Sequence, residues 1–190
     1  MEKRAWMKKA ADGLTSIRLA LSIILPVWGI YQGPRGLNGA AALVLVAWTS
    51  DVFDGPLARK SGVTEQTWVG RHDLVIDMLL ALGLLCFMCC AGLIPPLVAL
   101  MYVLVWGAIL WRYNCVTKPL GAAFQGLIYV WFGLTLLVRR LLAGRVMLLW
   151  VLLNVCITRK RLFQRDVPRF LRGMRELARL TAPTERSKEQ

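Results

Sequence analysis

The sequence predicts an all-α integral membrane protein: six transmembrane helices in an antiparallel bundle, followed by a basic amphipathic helix. Three observations carry that expectation. Of the 190 residues, 57% are hydrophobic and only 18% charged, with a mean hydropathy of +0.53, a balance that soluble domains rarely show. The apolar residues fall in runs long enough for a hydrocarbon core of about 30 Å, which takes about 20 helical residues. The charge is lopsided, 24 Lys and Arg against 11 Asp and Glu for a net +13, and most of it lies between the runs and at the chain ends. This composition excludes a disordered chain, and the length suits one domain.

In chain order the runs cover residues 14–32, 38–58, 73–94, 96–113, 120–138 and 141–157. The short basic stretch ahead of the first has no small-residue cleavage site behind it, so an uncleaved first helix is expected. Breaks fall at turn chemistry: Gly33-Pro34-Arg35-Gly36, Pro95-Pro96 and Lys118-Pro119. Short connections make neighbouring helices antiparallel. The sixth run is the shortest and contains Arg145.

Basic residues set orientation, because Lys and Arg stay on the cytoplasmic side. Lys3, Arg4, Lys8 and Lys9, then Arg59, Lys60 and Arg71, then Arg112 and Lys118, and finally Arg159, Lys160 and Arg161 all fall on one side if six helices span. Arg35 and the trio Arg139, Arg140 and Arg145 fall on the other, and the trio runs against the rule. Beyond residue 158 the chain turns polar. Asp166 and Pro168 suit a helix start. Arg169, Arg172, Arg175 and Arg179 follow at spacings of three and four, with Phe163, Val167, Phe170, Leu171, Met174 and Leu177 interleaved. That pattern reads as a helix lying on anionic headgroups; the bland alternative is a solvated tail. The five cysteines, Cys86, Cys89, Cys90, Cys115 and Cys156, sit in or at the ends of apolar runs and read as small packing residues rather than a disulfide framework.

The acidic residues decide the chemistry. Between Asp12 and Asp166 they all lie in one window: Asp51, Asp54, Glu65, Asp73 and Asp77. Asp51 and Asp54 are three apart at the end of the second run, and Asp73 and Asp77 four apart at the start of the third, so each pair shares a helix face. With those helices antiparallel, both pairs stand at one depth and can line one pocket. An ionised Asp near hydrocarbon costs about 2.5–3.5 kcal/mol, and four would approach the stability of a whole domain. Two divalent cations would compensate them, Mg²⁺ or Mn²⁺ by the hardness of the oxygen donors. The alternative is a salt-bridge network with Arg59, Lys60 and Arg71. Gly55 and Ala58, one turn apart beside the acids, leave room for a bulky ligand or serve close helix packing. His72 reads as structural or as a contact behind the acids, and Trp48, Trp68, Trp111 and Trp150 as membrane-interface anchors.

The pattern Asp51-x2-Asp54-Gly55-x2-Ala58-Arg59 followed by Asp73-x3-Asp77 resembles the signature of the CDP-alcohol phosphatidyltransferase family of six-helix membrane enzymes. Asp12-x2-Thr15-x2-Arg18 is similar to the Asn-x2-Thr-x2-Arg that often opens the family's first helix. The resemblance covers about residues 12–155. One departure stands in the connecting turn: the second glycine usually precedes the third Asp by four residues, where this chain has Val69, with Gly70 one position later.

The resemblance implies transfer of a phosphatidyl or similar phospho-alcohol group from a CDP-linked donor, CDP-diacylglycerol, to an acceptor hydroxyl, with release of CMP. By position, Asp51, Asp54, Asp73 and Asp77 correspond to ligands of a two-metal site, and Asp77 also to the catalytic base. Gly55, Ala58, Arg59 and Gly70 correspond to donor-binding positions, while Arg112 and Lys118 are candidates for a phosphorylated acceptor. The expected partners are the lipid donor, a small alcohol or phospho-alcohol, membrane lipids and a second copy in a homodimer, with no nucleic acid. The expected setting is a bacterial-type inner membrane, with a catalytic domain over 1–158, its site facing the cytoplasm, and a basic cytoplasmic tail over 159–190. Two rivals remain, a divalent-cation transporter and an inactive nucleotide- or lipid-binding member. A transporter would distribute acids through the membrane depth, and none occurs from residue 78 to 165.

Overall fold

A computed structural model describes residues 2–61, 72–114 and 117–161, and beyond them 164, 167–168, 170–173 and 175. Among the described residues there is no strand. Six long helices follow in order: α1 Glu2–Gln32, α2 Leu37–Ser61, α3 Asp73–Cys90, α4 Pro96–Tyr113, α5 Lys118–Val138 and α6 Leu142–Arg161, with a 3-10 turn, Gly33–Gly36, between the first two. Among the described residues five stretches are long and apolar enough to cross a membrane, the first of them, Asp12–Val52, running through α1, the turn and α2. The chain is therefore an all-α membrane protein. The sixth run forms a full helix despite Arg145, which lies exposed in its first turn.

Most helix ends fall within four residues of the runs, and the two shifts with a clear local cause are the start of α1 and the end of α3. Helix α1 starts at Glu2, well before the apolar run, because Glu, Lys, Arg, Ala and Met are all good helix formers and nothing in 2–13 breaks the ladder. Helix α3 ends at Cys90, earlier than the run, because Gly92 at φ 67° supplies a left-handed stop. Leu93 N–H donates to Met88 O at 2.9 Å and Gly92 N–H to Cys89 O at 3.0 Å, the paired bonds of a Schellman ending. The same motif ends α5, where Leu141 N–H reaches Leu136 O at 3.1 Å and Arg140 N–H reaches Leu137 O at 2.9 Å. There the left-handed position is held by Arg140 at φ 54°, a non-glycine residue in a strained region.

Helix directions follow from which residues meet. Trp28 Nε1–H donates to Gly36 O at 3.0 Å and Arg18 reaches Asp51, so α1 and α2 form an antiparallel hairpin. Gly29 lies against Phe87 and Gly83 against Ser22, so α3 runs parallel to α1. Gly121 meets Leu74 and the Phe87 ring meets Phe132 edge-on at 6.3 Å, so α5 runs parallel to α3. The starts of α1, α3 and α5 and the ends of α2, α4 and α6 therefore share one end of the bundle.

The core is built from small and branched side chains, as expected where lipid already solvates apolar surface and close backbone approach drives association. On α2 the buried face steps through Ala40, Val44 and Ala47; on α3 through Leu80, Leu84 and Phe87; on α1 through Leu21 and Leu25. The approach of α1 to α3 is closest at Gly83, where a Cβ would overlap the Ser22 carbonyl oxygen. That carbonyl is available because its helical donor position is Pro26, which has no N–H.

Candidate active site

The three core stripes, extended by one turn toward the shared end, change from apolar to ionic. Ala47 on α2 leads to Asp51, Leu80 on α3 leads back to Asp77 and Asp73, and Leu21 on α1 leads back to Arg18 and Thr15. The 3.6-residue period that buries the apolar positions thus delivers three carboxylates and one guanidinium to the same place.

Arg18 stands at the centre, with its side chain only 1% exposed. One guanidinium nitrogen donates to Asp51 Oδ1 at 3.1 Å and closely to Asp77 Oδ1. The other donates to Asp73 Oδ1 at 2.8 Å and to Thr15 Oγ1 at 3.2 Å. The carboxylates face outward to different degrees: the side chains of Asp51, Asp73 and Asp77 are 57%, 46% and 24% exposed. Beneath them is a cavity of about 130 Å³, lined by Arg18, Asp51 and Asp77 with Trp48, Gln125 and Tyr129. The Trp48 ring meets Tyr129 edge-on at 5.1 Å and tilts over Trp150 at 5.3 Å. Trp48 is therefore a wall of this cavity and not the interface anchor its position suggested, because the α2 face that buries Ala47 and brings Asp51 to Arg18 carries it inward. Trp111, 85% exposed at the end of α4, does fit the anchor role.

The acidic window thus comes together in part as the sequence predicts: Asp51, Asp73 and Asp77 meet at one depth. Asp54, Gly55, Ala58 and Arg59 lie in the last turns of α2, but their side chains fall outside the described residues. Gly70, with Val69 and Arg71, also lies outside them. His72 holds the N-cap position of α3, its carbonyl accepting from Ile76 N–H at 2.9 Å. Arg112 and Lys118 end α4 and begin α5, exposed at the same end of the bundle but not among the cavity's lining residues.

The compensating charge among the described residues is Arg18, where the sequence reading looked to two divalent cations, with Arg59, Lys60 and Arg71 as the alternative. A usable signal was present: Arg18 is the one basic residue between positions 10 and 34, and an ionisable side chain within an apolar helix is a site candidate by default. Gln125 and Tyr129 carried no such signal, since only tertiary packing aims them at α2 and α3. Four cysteines, Cys86, Cys89, Cys90 and Cys156, are free thiols; none is buried, and Cys90 and Cys156 are exposed, so they are not the core packing residues the sequence suggested.

The donor set suits a hard divalent cation, since carboxylate oxygens are what Mg²⁺ and Mn²⁺ take. With the three acids ionised, one guanidinium leaves two formal negative charges in this group, the charge of one such ion. Among the described residues no group of three or more acidic, His or Cys side chains is arranged to hold a metal; the three Oδ1 atoms are turned onto Arg18 instead.

A sequence profile of the CDP-alcohol phosphatidyltransferase family matches residues 8–159. The matched span contains every residue of this site and most of the six helices. No curated protein sequence and no solved structure matches the chain. The chain belongs to the CDP-alcohol phosphatidyltransferase family, membrane transferases of phospholipid synthesis.

Proposed function

We propose that the chain transfers a phosphatidyl group from CDP-diacylglycerol to the hydroxyl of a small alcohol or phospho-alcohol, releasing CMP. The observation that carries this reading is the convergence of Asp51, Asp73 and Asp77 from two antiparallel helices on one guanidinium, at a single depth near one end of the bundle. In the transfer, the acceptor oxygen bonds to the phosphatidyl phosphorus while the bond from that phosphorus to the pyrophosphate bridge breaks. CMP leaves with the electron pair, and the acceptor proton passes to a carboxylate.

Asp77 is the base. It borders the cavity with Gln125 and Tyr129, which offer an amide and a phenol to orient a hydroxyl-bearing acceptor. Asp51, Asp54 and Asp73 would be the principal ligands of Mg²⁺ or Mn²⁺, with Asp77 at the edge of that set and not fully committed to the ion. A divalent ion bound there supplies charge neutralisation for the pyrophosphate and the departing CMP. Arg18 keeps the acids together and in register between donor encounters. Gly55, Ala58, Arg59 and Gly70 flank the cytidine nucleotide, and Arg112 and Lys118 meet the phosphate of a phosphorylated acceptor. The site faces the cytoplasm of a bacterial-type inner membrane, all six helices span, and the chain works as a homodimer. Residues 159–190 lie on anionic headgroups; consistent with a docked tail, Gly173 sits against Pro119 in the first turn of α5.

The test is CMP release by the purified chain from radiolabelled CDP-diacylglycerol, with Mg²⁺ or Mn²⁺, across a panel of acceptors including glycerol phosphate and inositol phosphate. One acceptor should give metal-dependent release. Binding of donor without release for any acceptor would leave a nucleotide- or lipid-binding member, and the transferase reading would fall.

A further inference from the structure

The trio Arg139, Arg140 and Arg145 has no part in the carboxylate site, because it sits at the far end of the bundle, a length of α5 away. Beside it opens a cavity of about 640 Å³ between α3, α4 and α5, within the range of about 300–1,000 Å³ usual for ligand clefts. Its walls are apolar, including Met88, Val98, Tyr102 and Trp131, and one end is closed by Thr135 and Arg139. Helix α4 is fastened to α5 at Tyr102, whose hydroxyl donates to Phe124 O at 2.6 Å, and at Trp106, whose ring meets Phe124 edge-on at 5.7 Å. From there toward Val98 the cavity separates the two helices.

An apolar cleft open to a bilayer fills with hydrocarbon, since water there would find few partners. The single cationic side chain at its end decides which hydrocarbon. An amphiphile with a phosphate lying one acyl chain from its methyl terminus satisfies both wall and end. A zwitterionic phosphate is neutralised by its own ammonium, whereas an anionic lipid leaves its charge for an arginine. We propose that the cleft between α3, α4 and α5 is a non-catalytic site for one anionic phospholipid of the leaflet opposite the carboxylates, with its phosphate on Arg139.

The experiment is native mass spectrometry of the full-length chain in detergent, titrated with phosphatidylglycerol or phosphatidylcholine. Wild type should retain one phosphatidylglycerol at least tenfold more tightly than phosphatidylcholine. Arg139→Glu, at an exposed position, should lower that retention at least tenfold. Val98→Trp, on a wall residue already 42% exposed, should lower retention of both lipids by filling the cleft. Arg35→Gln, exposed at the same end of the bundle but outside the cleft, should change nothing. Equal retention of the two lipids by wild type, or undiminished phosphatidylglycerol retention in Arg139→Glu, would overturn the site. Loss of the lipid in Arg35→Gln would assign it to the general surface charge of that end and overturn the site, and a dimer-to-monomer shift in Val98→Trp with lipid retained would give the cleft to a second copy.

Discussion

Replacing Arg18 by glutamine removes the charge around which the site is arranged, and the loss can be sized from exposure. Asp51 and Asp73 are 57% and 46% exposed, so their pairs with Arg18 count as surface pairs of about 0.2–1 kcal/mol each. Asp77 is only 24% exposed, and breaking a buried pair of that kind costs about 3–5 kcal/mol. The variant should therefore lose about 3–7 kcal/mol in chelator, a large share of the roughly 5–15 kcal/mol of an ordinary domain. Glutamine keeps two donors, which places the result toward the lower figure. Divalent cation should return part of it, about 2.7 kcal/mol at a concentration 100-fold above its Kd. The rescue should be greater for the variant than for wild type, because the carboxylates no longer share themselves with a guanidinium. The assay is denaturant unfolding in zwitterionic micelles, followed by tryptophan fluorescence in EDTA and across a Mg²⁺ series. A variant within 1 kcal/mol of wild type in EDTA would show that Arg18 is not the counter-ion. Equal Mg²⁺ stabilisation of both proteins would show that arginine and metal do not compete for the same oxygens.

Asp54→Asn should abolish CMP release and divalent binding together, measured by product assay and calorimetry; activity above a few per cent of wild type would count against its metal role. Asp77→Asn should lower turnover about 10²–10⁴-fold yet bind CDP-diacylglycerol with divalent cation near wild-type affinity, whereas Asp73→Asn should lose both, and calorimetric titration of the two separates base from ligand. Gly83→Ala places a methyl on the Ser22 carbonyl, so α1 must shift relative to α3 at about 1–3 kcal/mol, with activity falling as Arg18 moves; unfolding within 0.5 kcal/mol of wild type would refute the contact. Arg140→Gly relieves the left-handed backbone at φ 54° and should stabilise by about 1 kcal/mol in the same unfolding assay.

The helices were legible because their apolar runs are long and their breaks carry glycine and proline; the run from 96 to 113 became α4 unchanged. What periodicity could not supply was the point at which a non-apolar segment stops being helical. Residues 2–13 carry charge every few positions, so hydropathy gave no reason to place them in α1, whereas their intrinsic propensity did. The role of Trp48 was misread for a related reason. A tryptophan near a run's end is an interface anchor only if its face of the helix looks outward, and hydropathy alone does not say which face that is. Its neighbours do: Trp48 follows Ala47 and precedes Asp51 by three residues, on the side that packs against α1, α3 and α5.

Arg18 was within reach of counting. In an antiparallel hairpin, residues equidistant from the turn stand at the same depth. Gly33–Gly36 is the turn, and Arg18 lies 15 residues before its first residue while Asp51 lies 15 after its last. At 1.5 Å per residue both are about 22 Å from the turn, and their 3.1 Å contact is the result. The acids attract notice because they cluster in sequence. The arginine stands out only as part of the pattern opening the first helix, and its pairing with the acids escapes notice because that cluster exists only across a hairpin, although a charge so far inside an apolar run has few places to go except to an opposite charge at the same depth.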